Sequence, residues 1–558
     1  MFSPRQVVEI DIELGAAARA SIEAEPKEWV AATFALSGPE GRRFGPVEAE
    51  FKLKGNASFR PLGGKAAIRL RFKSGARPWG LKRMTLNNMV QDPSKVRETT
   101  TYEVFRGIGV PAPRTGYAEV ELNGEAYGLY LNLEVMTEDA LARWFSSTRH
   151  LYEGEDIDLL PDSAPEFEVD EGDEDDRSDL EALIGAANSA APSWFADLAA
   201  VADVGEMARM WAGEVYLRHW DGYVTNANNY YLHSDAGGVF SWLPSGTDQA
   251  LAGDRAEFFL VDDSTALNRR RPLVQRCLQN VTCRALYAAA LQRTRAEAVA
   301  LDLPARSLAL FEFLEPHIVA DPKLEHSVAQ ARLAAEQVGD AAREQSRLLD
   351  EALAAPPLAP AGLTATATAD GVIAVSWDEA RTYGAEPVSG YLVQYRRAGR
   401  EGFTELMFGD PAQRSARITL PRSGTVYEVR VRALSDAGPG TASVLNASMP
   451  GPVLTRPRVT PRLRWLRPGG RVALTIAVSN VGEVVAPAVR ACALAPRALI
   501  RVRRCAGLGA LAAGQTKTVR IIATVRAKAG RARKARIEFE VSGEGLKPRR
   551  ARALIRIR

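Results

Sequence analysis

The chain has 558 residues, and at about 150 residues per domain this length predicts three or four folding units. Its 46% hydrophobic and 25% charged residues are the balance of a globular protein, which excludes an intrinsically disordered chain. No stretch approaches about 18 uninterrupted apolar residues, so we expect no membrane-spanning helix.

The net charge of +3 is the sum of two unlike parts. Residues 452–558 hold 25 Lys and Arg against 4 Asp and Glu, a balance of +21. The residues before them hold 46 against 64, a balance of −18. Such segregation bears on the partners of the protein rather than on its fold.

The cysteines and the first residues bear on the cellular compartment. The start, MFSPRQVVEIDIEL, has no basic segment followed by an apolar one, so no signal peptide is visible. The four cysteines form two local pairs, Cys277/Cys283 and Cys492/Cys505, without the spacing of zinc sites. These pairs predict disulfides, with buried free thiols as the alternative. Disulfides favour an extracellular or cell-envelope location, with a leader outside this sequence, over a cytoplasmic one.

Two proline-rich stretches, residues 354–362 and 449–461, divide the chain. Proline removes a backbone donor and fixes φ, so neither stretch can continue a helix. We therefore predict three domains, which span residues 1–355, 361–450 and 455–558.

The middle domain alternates apolar and polar residues between turn signals, which predicts an all-β fold. Trp377, Tyr395 and the run Tyr427-x-Val429-x-Val431 resemble a fibronectin type III domain. The resemblance implies a spacer or a binding platform without chemistry of its own.

The last domain also alternates, in the runs RVALTIAVSN, TKTVRIIATVRA and ARIEFEVSG. We expect a second, Ig-like β-sandwich in which Cys492–Cys505 closes a loop of about a dozen residues. Arginines occupy the outward strand positions, either as a solvated face or as a patch for an anionic polymer. Only Trp465 and Phe539 are aromatic here, which argues against nucleic acid as the partner.

A glycine-containing segment in the first domain leads into a basic strand. The run KGNASFRPLGG, residues 54–64, precedes KAAIRLRF, in which alternation puts Lys65, Arg69 and Arg71 on one face. Such a loop can cradle phosphates; a basic solvent face of an edge strand is the alternative.

A helix is predicted next. Asp92 followed by proline is typical of a helix start, and the helix should end near Gly107 or Gly109. Its period places Glu98 on the packed side, where an unpaired carboxylate is costly. We expect a cationic partner for Glu98, with Lys65 as the candidate.

The strongest motif is HWDGYVTNANNYYLH, residues 219–233. It gives Asp221, then Asn226, a predicted hairpin of residues 229–243, and then Asp248. The protein-kinase catalytic loop and its metal-binding aspartate come in the same order. Aspartate and asparagine oxygens are ligands that Mg²⁺ prefers, and Asp221 would orient or deprotonate an acceptor hydroxyl.

Together these segments resemble the spore-coat-protein-H-like (CotH) atypical kinases over about residues 1–300. The carrying runs are KGNASFR with KAAIRLRF, LNNMVQDPSKVRE, FRGIGVPAPRTGYAEVELNGEAYGLYLNLE, HWDGYVTNANNYYL and LPSGTDQAL. The resemblance implies a multidomain protein with an α+β kinase-like catalytic domain followed by two all-β sandwiches. It implies phosphorylation of Ser/Thr hydroxyls of protein substrates with ATP and Mg²⁺ or Mn²⁺. This chain has Gly246 where many members carry an acid.

The resemblance and the motif positions assign the candidate site residues. The catalytic set is Asp221, Lys65 and Glu98; the nucleotide set is Gly55, Asn56, Ser58, Lys65 and Glu134; the metal set is Asp248, Asn226 and Asn229. Glu134 has a structural strand residue as its alternative. A catalytically inactive kinase fold that serves as an envelope adhesion or binding protein is the alternative function.

An acidic stretch, Glu153–Asp179, holds 14 acids and one arginine. Its spacing does not fit a calcium loop. We expect a solvated insertion loop, with a Ca²⁺ or basic-substrate contact as the alternative.

Overall fold

The computed structural model describes residues 1–558 except 39–40, 254–256, 260–270, 369–370, 383, 421–423 and 530–532. The chain divides into two compact units, one of residues 1–355 and 382–387, the other of residues 356–381 and 388–558. Within the described residues, every helix is too short or too polar to cross a membrane.

The first unit begins with a closed β-barrel. Its strands are β1 (Val7–Glu13), β2 (Val30–Ser37), β3 (Arg43–Lys54), β4 (Ala67–Phe72), β5 (Arg83–Asn87), β6 (Thr115–Leu122) and β7 (Glu125–Leu133). They pair in the order β1-β2-β3-β4-β5-β7-β6, and β1 closes the barrel by pairing parallel with β6. Strand alternation fills the interior with side chains such as Ile10, Phe34 and Leu70, and Ile22 of α1 (Ala16–Ala24) joins this core.

A mixed helical and β region follows the barrel. It contains α2 (Arg97–Gly107), α3 (Glu138–Leu141), β8 (His150–Gly154), β9 (Glu168–Glu171), α4 (Ser178–Asn188), α5 (Trp194–Ala199), α6 (Val204–Tyr216), α7 (Tyr223–Asn226), β10 (Tyr230–Ser234) and β11 (Phe240–Pro244). The strands form a sheet in the order β11-β10-β8-β9. The antiparallel β10–β11 pair confirms the predicted hairpin.

The expectation of a solvated insertion loop is only partly correct for the acidic stretch, residues 153–179. Glu168–Glu171 is strand β9, which pairs with β8. At its end Asp179 is buried, and it accepts hydrogen bonds from Tyr152 Oη at 2.7 Å and bonds His150 Nδ1 at 2.9 Å. Asp179 is therefore part of the packed structure, whereas Asp173, Glu174 and Asp175 are exposed, as expected for a solvated loop.

Helix α2 begins later than predicted. The Asp92 carboxylate accepts from Ser94 N at 2.9 Å and from Arg97 N at 2.9 Å. Asp92 thus closes a turn of its own, and the helix starts at Arg97, although its end at Gly107 is as predicted.

Four long helices complete the first unit. They are α8 (Pro272–Gln279), α9 (Val281–Ala300), α10 (Leu303–Ala320) and α11 (Val328–Leu353). Helix α9 packs against α6, and α11 packs against α10. A disulfide joins Cys277 to Cys283, which confirms the predicted pair.

The second unit starts with a two-sheet sandwich. Its strands are β12 (Thr364–Ala367), β13 (Val372–Ser376), β14 (Gly390–Arg397), β15 (Thr404–Phe408), β16 (Ser415–Thr419), β17 (Val426–Ser435) and β18 (Gly438–Ser448). The sheets have the orders β12-β13-β16 and β15-β14-β17-β18. Trp377, Tyr391 and Val429 are buried in its core.

A second sandwich ends the chain. Its strands are β19 (Arg458–Thr460), β20 (Leu463–Leu466), β21 (Arg471–Ser479), β22 (Ala486–Leu494), β23 (Ile500–Val502), β24 (Cys505–Leu511), β25 (Thr516–Val525), β26 (Lys534–Ser542) and β27 (Arg549–Ile557). The sheets have the orders β19-β21-β25-β23 and β20-β27-β26-β22-β24. The Cys492–Cys505 disulfide is confirmed, but it links paired residues of the neighbouring strands β22 and β24 rather than closing a simple loop.

Candidate active site

The Asp221 carboxylate is held by three asparagine amides. Asn226 Nδ2 donates to Oδ1 at 2.6 Å, while Asn228 Nδ2 and Asn229 Nδ2 donate to Oδ2 at 3.2 and 2.7 Å. Amide donors to both oxygens fix the plane of a carboxylate that is only partly buried. Asn226 and Asn229 donate through their nitrogens, which leaves their oxygens as atoms that could ligate a metal, whereas Asn228 Oδ1 accepts from Asp156 N at 3.3 Å.

A buried acid, Glu214, fixes the backbone that follows Asp221. Glu214, in α6, accepts from Tyr223 N at 3.0 Å and from Val224 N at 2.9 Å, so its carboxylate lies at the N-terminus of α7. His219 Nε2 donates to Ser245 O at 2.9 Å, and burial lowers the pKa of this imidazole to about 4. A neutral His219 therefore ties the Asp221 loop to the segment that follows β11.

Asp248 lies in a short turn, Thr247–Gln249, that packs against α2. Gly246 precedes this turn with φ of 57°, and a Cβ built there would lie 2.5 Å from Asn229 Oδ1. A side chain at position 246 would therefore have to displace the Asn229 amide, and the positive φ also favours glycine. Burial and the nearby Asp92 raise the pKa of Asp248 to about 6, an effect that Lys54 opposes.

Glu98, in the first turn of α2, lies near Asp248. It is buried and accepts from Asn87 Nδ2 at 2.8 Å and from Tyr102 Oη at 3.3 Å. Burial, and then the charge of Asp248, raise the pKa of Glu98 to about 8, while Lys54 acts in the opposite direction. Lys54, the last residue of β3, is therefore the cation that Glu98 and Asp248 share.

The predicted pair of Lys65 with Glu98 is wrong. Lys65 is buried and forms an ion pair with Asp321, which also accepts from Leu129 N at 3.1 Å. Alternation misplaced this side chain because β4 begins only at Ala67, so the strand does not set the direction of Lys65. Arg69, inside the strand, does point to solvent as predicted.

The predicted phosphate loop follows directly on Lys54. Gly55 has φ of 105°, and a Cβ there would lie 2.8 Å from Ser58 Oγ, so this tight turn requires glycine. Asn88 Nδ2 donates to Ser58 O at 3.0 Å and to Lys65 O at 2.8 Å, which anchors both ends of the loop. The exposed Asn56 donates to Glu155 Oε1 at 2.8 Å.

Glu134 lies in an arginine cluster. Its fully buried carboxylate accepts from Arg114 Nη2 at 2.7 Å and from Arg143 Nη2 at 2.5 Å. These contacts support the structural alternative for Glu134.

The residues that sequence reasoning missed are Lys54, Asp92 and Asn228. Lys54 was visible as the end of an alternating run, and Asn228 as part of an asparagine cluster, but neither was given a role. In the described residues, no three His, Cys, Asp or Glu side chains form a metal-binding group. The donor set still fits Mg²⁺, because this ion commonly takes one or two carboxylates and completes its shell with phosphates and water.

Comparison with known proteins identifies the families of two regions of the chain. A family model described as CotH kinase protein matches residues 52–349, and one described as fibronectin type III domain matches residues 358–445. The inner spore coat protein H of Bacillus subtilis (strain 168) is 26% identical over 258 residues, which are 44% of this chain and 70% of that protein.

Two further similarities are more limited. An inner spore coat protein H-like protein of Bacillus subtilis (strain 168) is 40% identical over 55 residues, which are 10% of this chain and 18% of that protein. A structure of the chicken CNTN1 FN1–FN3 domains is 16% identical with a TM-score of 0.16, and it covers 36% of this chain and 66% of that one.

Proposed function

Because the chain belongs to the CotH kinase protein family, we propose that it transfers the terminal phosphoryl group of ATP to Ser or Thr hydroxyls of a protein. The proposal is supported by the grouping of Lys54, Glu98 and Asp248, whose charges act on one another, and by the bond from His219 to Ser245 O, which ties the Asp221 loop to the segment before Asp248. A kinase-like arrangement of the catalytic domain is part of the proposal.

Each residue has a physical role in the proposed transfer. Lys54 would neutralise phosphate charge, and Glu98 would supply the nearby opposite charge, as the helix glutamate does in protein kinases. Asp221, held in plane by its three amides, orients the acceptor hydroxyl and takes its proton as the new bond to phosphorus forms. Lys65, paired with Asp321, instead stabilises the start of β4.

Asp248, with the amide oxygens of Asn226 and Asn229, would hold Mg²⁺ or Mn²⁺ together with the phosphates of ATP. A divalent cation bound there neutralises the charge that develops on the phosphates. It would also relieve the repulsion between Asp248 and Glu98, two acids that share a single lysine.

We place the protein outside the cytoplasm, at a cell or spore surface. Two disulfides support an oxidising environment, and a relative that is 26% identical over 258 residues is by name an inner spore coat protein.

Asp248→Asn tests the proposal. Removing one anionic ligand should abolish Mg²⁺-dependent ATP binding in calorimetry and autophosphorylation with labelled ATP, while the thermal unfolding midpoint stays within a few degrees. Wild-type protein that binds Mg-ATP but transfers no phosphate to itself or to casein would favour the inactive binding protein.

A further inference from the structure

One outer face of the C-terminal sandwich carries arginines and no acid. The strands β19, β21, β23 and β25 contain no Asp or Glu. Their exposed positions include Arg458, Arg471, Arg501 and Arg520, which we call the arginine face. Within the described residues none of these four forms an ion pair.

The register of the strands gives the distances between the four arginines of the arginine face. Arg471 and Arg501 flank Thr524 on the two neighbouring strands, which places their Cα atoms about 10 Å apart. Arg520 is four residues from Thr524 along β25, about 13 Å away. Arg458 lies beside Ala477, six residues from Arg471 along β21, or about 20 Å. The four arginines thus lie on four adjacent strands and form a patch about 20 Å long rather than a single row.

The other sheet of the same sandwich is different. Its outer face contains Glu538 and Glu540, which form ion pairs with Arg552 at 3.1 Å and with Arg550 at 2.8 Å. Charge on that sheet is partly neutralised within the fold. The arginine face has no such internal partner, so its four guanidinium groups stay available to a ligand.

We propose that the arginine face binds a linear acidic polysaccharide. Guanidinium groups match carboxylates with two parallel hydrogen bonds, and a chain of about 20 Å laid lengthwise over the patch runs between the four arginines, whose long side chains reach it from both sides. Between the arginines the face carries hydroxyl side chains: Thr460, Thr475, Thr516, Thr518 and Thr524. These hydroxyls can bond to sugar hydroxyls.

Two features favour a polysaccharide over nucleic acid or a membrane. The strands of this sheet contain no aromatic residue, so the stacking platform typical of single-stranded nucleic acid is missing. Ile522, 51% exposed, is the large apolar side chain at the centre of the face, which is too little for insertion into lipid.

The test uses the full chain and compares two variants of equal charge. The first replaces the arginine face with glutamine (R458Q, R471Q, R501Q and R520Q). The control replaces four exposed cations elsewhere in the same sandwich (R490Q, K534Q, R536Q and K547Q). Binding to immobilised polygalacturonate is measured from about 50 to about 200 mM NaCl, with fully methyl-esterified polymer as the uncharged probe.

We expect the first variant to bind at least about tenfold more weakly, with a shallower dependence on salt, and the control variant to lose less than about threefold. Equal losses in both variants would contradict a located site and indicate diffuse charge. Equal binding to the esterified polymer would overturn the role of charge. Stronger binding to oligo(dT) at equal charge concentration would replace the polysaccharide by nucleic acid. None of these outcomes depends on phosphoryl transfer.

Discussion

Lys65 and Asp321 form an ion pair whose side chains are only 2% and 1% exposed. Two residues after Asp321, Lys323 Nζ donates to Gly63 O and Gly64 O at 3.0 and 2.8 Å. These glycines end the glycine-containing loop that precedes Lys65. The connection between α10 and α11 is therefore fastened to the loop that precedes β4. A lysine committed to such a pair has a structural rather than a phosphate-binding role.

Asp321→Asn should destabilise the protein by about 3–5 kcal/mol, because it leaves the Lys65 ammonium buried without its counter-charge. The free energy of unfolding is measured with urea. The matched control is Asp340→Asn, which breaks the exposed pair with Arg343 and should cost less than about 1 kcal/mol. Equal changes in the free energy of unfolding for the two substitutions would show that the buried pair contributes no more to stability than the exposed one.

Lys54→Met should weaken ATP binding by roughly 10- to 100-fold, the range expected when a charged contact to phosphate is lost. Lys52→Met is the control, since Lys52 lies on the same strand with its ammonium over the ring of Trp29. Lys65→Met should lower stability while the folded fraction still binds nucleotide. If Lys65→Met removes binding and Lys54→Met does not, the assignment of the phosphate lysine is reversed.

The sequence allowed correct prediction of features that depend on local pattern. The β10–β11 hairpin and the two disulfides follow from short-range spacing, whereas the amide bonds of Asn226 and Asn229 to Asp221 were not predicted. The partner of Lys65 could not be predicted in this way, because Asp321 is 256 residues away and no local pattern connects the two residues. The start of α2 was misplaced because the Asp92 side chain closes a turn before the helix instead of capping it.

Asp221→Asn should leave ATP binding unchanged and lower transfer by about 100- to 10,000-fold, because this carboxylate acts on the acceptor hydroxyl. Single-turnover transfer and calorimetric ATP affinity are measured on the same preparation. Retention of more than a tenth of the wild-type rate would refute the role of Asp221.

Gly246→Ala should reduce transfer at least about tenfold, because the new Cβ meets Asn229 Oδ1 and displaces an amide that positions Asp221. The control is Gly238→Ala, at φ of 77°, where the nearest atom to the new Cβ is 3.7 Å away. Both variants place an alanine at a positive φ and carry the same kind of backbone strain. The contact with Asn229 Oδ1 is therefore what distinguishes them. Similar rates for the two variants would show that the Asn229 contact does not control Asp221.

Glu206→Gln should change how stability depends on pH. Glu206 is buried in α6, where Oε2 accepts from Trp242 N at 2.9 Å, and burial raises its pKa from the usual 4.5 to about 8. Because the native state keeps the proton to higher pH than the unfolded chain, this group stabilises the fold most below pH 4.5, and that contribution falls as pH rises towards 8.

Glutamine cannot ionise, so the free energy of unfolding of Glu206→Gln relative to wild type should rise by roughly 4 kcal/mol across this pH range. Urea unfolding at pH values from about 5 to about 8 measures the difference. Glu181→Gln, on an exposed position of α4, serves as the control for the effect of the substitution itself. A constant difference for Glu206→Gln as well would mean that Glu206 is ionised in the native protein throughout, with a counter-charge that compensates its burial.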